Sequence, residues 1–205
     1  MARAFGYNCA WIAARTDLPL TVATALGLRK VRPSSWEAGI EAAYGTTAYS
    51  RHAFLSPPID GWVLCASTAF FKLAEGQRDL PSFLPSLSRQ LGTEVQCFLT
   101  YHVVEIHVWG SAENATLTRL YGFIGERGAT LFDIGGQTDA EVSLGFRFFN
   151  ERSPEASDPK IDYWAREDLT IPNEAHVMRL AGKWSIDPTT LDGQELDDGW
   201  VGEVD

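Results

Sequence analysis

Four segments decide the fold class: 95–101 (VQCFLTY), 103–109 (VVEIHVW), 117–124 (LTRLYGFI) and 129–134 (ATLFDI). Each is rich in β-branched and aromatic residues, the composition of a strand. The links 110–116 and 125–128 are short, which favours antiparallel neighbours, because a parallel pair needs a long crossover. The run therefore predicts a meander from 95 to 134.

Upstream, 5–14 reads as a further strand, and Pro57-Pro58-Ile59-Asp60-Gly61 as a rigid turn feeding a strand over 62–67. That last strand is apolar on both faces and is expected in the centre of the sheet. Helices are predicted between and after these strands. One starts at Asp17-Leu18-Pro19, with an apolar face of Leu18, Val22, Ala25 and Leu26 and a stop at Gly27. Arg29-Lys30-Val31-Arg32 is read as a solvated loop. A second helix follows, with Ser34 and Glu37 at capping-box spacing and a face of Trp36, Ile40, Ala43 and Tyr44. A third opens at Leu80-Pro81-Ser82. Thr138-Asp139-Ala140-Glu141 is another capping box and predicts a helix over 139–149. Segment 150–159 is polar and proline-containing, a surface loop. Asn173 caps a helix with Val177, Leu180, Ala181 and Trp184 on one face. The fold class is thus α+β: a predominantly antiparallel sheet of about five to seven strands packed by helices. One domain is expected over 1–186, followed by an acidic tail, 187–205.

The 205 residues are 45% hydrophobic and carry seven Trp, eleven Phe and six Tyr, enough to fill one large core. The formal net charge is −10. A chain so acidic, without a basic stripe, is not expected to bind nucleic acid or an anionic membrane surface. Its field suits a basic protein partner. Cys9, Cys65 and Cys97 sit among apolar residues at no metal or redox spacing and read as small buried hydrophobes. Their odd number and the lack of a signal peptide point to the cytoplasm. No apolar run approaches the ~20 residues of a membrane helix.

His102-Val103-Val104-Glu105-Ile106-His107 invites a metal-site reading, but strand alternation separates its members. Glu105 and His107 share a face with Trp109, while His102 points the other way. Without three or four convergent ligands no metal is expected, and no cofactor fingerprint is present. Asp133, at a strand end beside Gly135-Gly136, reads as a turn former. No catalytic residue is predicted. The candidate partner-binding residues are Glu105, His107 and Trp109 on the sheet, with Asp197, Asp198 and Trp200 in the tail. There an aromatic is ringed by carboxylates.

Three stretches together resemble an uncharacterised bacterial family loosely associated with the immunity proteins of polymorphic toxin systems. They are Pro57-Pro58-Ile59-Asp60-Gly61-Trp62-Val63-Leu64, the run from Val104-Glu105 through Trp109 to Gly125-Glu126-Arg127-Gly128, and Val177-Met178-Arg179-Leu180-Ala181-Gly182-Lys183-Trp184-Ser185-Ile186-Asp187-Pro188. The resemblance implies a cytosolic, non-enzymatic protein that binds and blocks a cognate toxin, and it carries no catalytic motif. The alternative is a small-molecule-binding protein or enzyme with a pocket between sheet and helices; a pocket holding Glu105, His107 and Asp133 together would favour it.

Overall fold

The computed structural model describes residues 1–46, 49–74 and 79–204. In chain order the elements are β1 (Cys9–Arg15), α1 (Pro19–Ala25), β2 (Arg29–Ser34), α2 (Trp36–Tyr44), β3 (His52–Leu55), β4 (Trp62–Ala66), α3 (Leu80–Leu91), β5 (Val95–Tyr101), β6 (Ile106–Glu113), β7 (Thr116–Ile124), β8 (Ala129–Ile134), α4 (Asp139–Ser143), α5 (Glu174–Trp184) and β9 (Gly199–Glu203). The strands form one sheet in the order β2-β9-β3-β4-β1-β5-β6-β7-β8. Every pairing in it is antiparallel. The α+β class and the meander are as expected. Among the described residues the strand count is nine rather than five to seven.

Both faces of the sheet are covered. On one side α2 and α5 bury Trp36, Ile40, Ala43, Val177 and Leu180 against Trp11, Phe54, Phe98, Trp109 and Tyr121. On the other, α1, α3 and the 3₁₀ turn Thr68–Leu73 bury Val22, Leu84, Leu87 and Phe70 against Ile12, Val63, Cys97, Leu99 and Val108. Strands covered on both faces need apolar residues at successive positions, and β4 is buried at all five of its residues. The three cysteines are free and buried in this interior. Burial pushes the Cys9 and Cys97 thiols up to about 12, so they pack as apolar groups. Among the described residues no helix is long and apolar enough to cross a membrane.

The departures from the sequence reading have local causes. Arg29–Ser34 is a strand, not a loop. It is a sheet edge, where charges and a proline are tolerated on the unpaired side. The cap of α2 is Ser35, whose side chain accepts from Ala38 N, because Ser34 still belongs to β2. The helix after Thr138 keeps its capping box but ends at Ser143. Gly145 takes φ 75°, and the chain turns to send Phe146 and Phe149 into the core. The β5–β6 turn occupies 102–105, so β6 starts three residues later than expected. The acidic C-terminal segment is not a loose arm. Its 3₁₀ turn Pro188–Leu191 packs near the N-terminus, where Ala2 N donates to Gln194 O at 2.8 Å. Its β9 then inserts between β2 and β3.

Candidate functional site

The polar residues of the β5–β6 hairpin converge at its turn. His107 and Thr100 are register partners on adjacent strands, and both are fully buried. His107 Nδ1 lies 3.0 Å from Thr100 Oγ1, and its Nε2 lies 3.0 Å from Glu105 Oε2. Glu105 sits at φ 52° at the end of the turn, where Gly125 N donates to its carbonyl at 2.8 Å. That backbone conformation folds the carboxylate back onto the histidine two residues on. Glu174, in the first turn of α5, brings Oε1 to 3.3 Å from both Thr100 Oγ1 and Asn8 N. Asn8, also at positive φ (49°), accepts at Oδ1 from His102 N at 3.2 Å and contacts the His102 ring.

Burial lowers the His107 pKa, against the opposing hydrogen bond and charge of Glu105 and the charge of Glu174. A neutral imidazole with its proton on Nε2 satisfies both 3.0 Å contacts. Nε2–H donates to Glu105, and the Thr100 hydroxyl donates to Nδ1. The hydroxyl has one proton, so Glu174 competes for it. Carboxylate, imidazole and hydroxyl stand here in the order of a nucleophilic triad. A nucleophile, however, must meet its substrate, and at zero exposure Thr100 presents no oxygen to solvent. As folded, the network orders the hairpin end and ties it to α5 and the segment before β1. Among the described residues, no group of three His, Cys, Asp or Glu could hold a metal ion.

A second polar knot lies under α4. Arg119 is 1% exposed and donates from Nε to both oxygens of Glu141 (3.0 and 3.2 Å), itself fully buried. Glu141 Oε1 also accepts from Trp109 Nε1 at 2.8 Å, and Oε2 from Thr138 N at 2.6 Å. Asp133 accepts from Arg119 Nη1 at 2.7 Å and from Asn150 Nδ2 at 3.2 Å. Asp133 therefore serves this knot, and neither Glu105 nor His107 bonds it.

The six candidate contact residues thus separate. Trp109 and His107 are sealed in the interior; an inward-facing position on a strand covered on both sides cannot reach another protein. Glu105 keeps its side chain 55% exposed. Asp197 and Asp198 are exposed in the loop before β9, where the Asp197 carbonyl accepts from Trp36 Nε1 at 2.8 Å. Trp200 is half-buried on β9, paired with Pro33 and Leu55, and packs on the α1/α3 side of the sheet. Thr100, Asn8, Glu174 and Arg119 did not stand out in the sequence. Arg119 had a signal, since strand alternation puts it on one face with Tyr121 and Phe123, a lone charge on an apolar face. The others meet only through long-range contacts.

Comparison of the chain with known protein families, characterised proteins and solved structures finds no match.

Proposed function

We propose that this chain is a cytoplasmic bacterial binding protein of the immunity type, which neutralises a basic toxin domain by covering it. The observation that carries the reading is the acidic loop ahead of β9. Asp192, Glu195, Asp197 and Asp198 are all exposed within seven residues, and 187–205 contains no Lys or Arg. The loop is held at one end by the turn Pro188–Leu191 and at the other by a strand inside the sheet. Its carboxylates are presented on a fixed frame, so a partner need not spend binding energy ordering them. A fixed negative patch steers a basic partner and speeds encounter. Glu105, exposed at the hairpin turn, is the further candidate contact on the sheet. The free, buried cysteines accord with a reducing compartment.

The test is capture of the partner from the native host with tagged protein, followed by neutralisation and association kinetics with the purified partner. The expected result is a stoichiometric basic toxin domain whose activity is blocked. Changing Asp192, Asp197 and Asp198 to Asn and Glu195 to Gln should slow association by roughly tenfold at low salt and flatten its salt dependence. Unaltered rates in that variant would remove the loop from the interface, and a partner left fully active would end the immunity reading.

A further inference from the structure

At one end of the sheet the acidic surface gives way to a basic cleft. The start of β2, the end of β9 and the start of β3 lie side by side, with Arg29 opposite Glu203 and Glu203 opposite His52. The cleft they border has a volume of about 660 Å³ and is completed by Lys30, Tyr49, Ser50, Arg51, Ala69, Lys72 and Val204. Its walls are pinned. Ser50 N donates to Thr68 Oγ1 at 2.8 Å, Ser50 Oγ accepts from His52 N at 2.9 Å, and Val204 N donates to the Arg51 carbonyl at 2.8 Å. Lys72, on the 3₁₀ turn, lies with Nζ 5.6 Å from the centre of the Tyr49 ring.

Four permanent cations, Arg29, Lys30, Arg51 and Lys72, face this space against one carboxylate among the described lining residues, Glu203. In a chain with 27 acidic and 17 basic residues, a random lining would be acidic. Lys30 is engaged by Glu203 at 2.9 Å. Among the described residues the Arg51 guanidinium and the Lys72 ammonium form no ion pair. Arg29 has a partner of its own, so Arg51 and Lys72 are the cations whose charge a bound anion would offset.

We propose that the cleft is a binding site for a small ligand carrying a di- or triphosphate group. The Arg51 guanidinium matches the oxygens of phosphate in pairs, and Lys72 adds point charge. The volume lies within the range of small-ligand sites and exceeds what a single phosphate fills. This site is independent of the acidic loop and stands whether or not the chain blocks a toxin.

Titration calorimetry of the full chain at low salt tests it, with inorganic pyrophosphate and ATP as probes and citrate as a carboxylate of comparable charge. One saturable pyrophosphate site per chain is expected. Arg51→Gln and Lys72→Gln should each raise the dissociation constant roughly tenfold, and Arg89→Gln, on exposed α3 surface, should leave it unchanged. Glu203→Gln should tighten binding, because it releases Lys30. Near-UV circular dichroism checks that each variant is folded. Absence of saturable binding by the folded chain, binding indifferent to Arg51 and Lys72, or equal affinity for citrate would each overturn the proposal. So would retention of duplex nucleic acid without binding of pyrophosphate, which would assign the cleft to a polymer backbone.

Discussion

Glu141, fully buried, divides two oxygens among the cap of α4, the Trp109 indole and the Arg119 guanidinium. A buried ion pair adds little over well-packed apolar residues, but removing Glu141 leaves the buried Arg119 charge stranded beside one partly exposed carboxylate, Asp133, in place of two. Glu141→Ala should therefore lower stability by about 3–5 kcal/mol in urea unfolding. The double substitution Arg119→Met with Glu141→Leu should recover much of that. If the double variant were as unstable as the single, the stranded charge would not be the cause. At this scale the sequence was half legible. The capping-box spacing of Thr138 and Glu141 predicts the cap, but it does not show that the same carboxylate is buried against Arg119. That contact joins residues more than twenty positions apart.

Among the elements, the junction of α2 with β3 and β9 is the tightest to read physically. A Cβ on Gly39 would lie 2.1 Å from Phe54 Cδ2, and one on Gly199 would lie 2.6 Å from Phe54 Cε2. The Phe54 ring thus occupies space left by two missing side chains, and Trp36 packs on it at 4.9 Å. Gly39→Ala gains up to about 1 kcal/mol of helix propensity, but Phe54 is fully buried and has no free direction to move. Overpacking should win, with a net loss of about 1–3 kcal/mol in thermal or urea unfolding; a stabilised variant would show that the ring can shift. Element types follow well from periodicity and caps, whereas boundaries do not. The run 103–109 has strand composition throughout, yet 102–105 turns because Glu105 adopts positive φ and bonds both His107 and, through its carbonyl, Gly125.

For the whole molecule, burial holds His107 and His176 below the ordinary histidine value of 6.5, the latter also through the charge of Arg179. As pH falls through 6.5 the unfolded chain takes up these protons and the folded chain does not, so stability declines from there towards the folded values. A second decline should begin below the unfolded carboxylate range. Asp168, held down to about 2 by its hydrogen bond from Arg166, and Glu203, lowered by its bond from Lys30, then lose their ionised partners' support. Both carboxylates are solvent-screened, so the second step should be the smaller per group. Unfolding measured from pH 8 to 3 checks the order, and His107→Gln should flatten the first step. A first step unaltered in that variant would assign it elsewhere.

By itself the sequence determined the α+β class, the meander over 95–134, the identity of most helices and the burial of the cysteines, because alternation, caps and turn residues act within a few positions of one another. Only the tertiary structure decided that residues 199–203 complete the sheet between β2 and β3, that Trp109 and His107 face inward, and that four cations gather at the far end of those strands. Each of these joins segments from distant parts of the chain. Whether a charge meets a partner, water or another charge is fixed by packing, which local pattern does not encode.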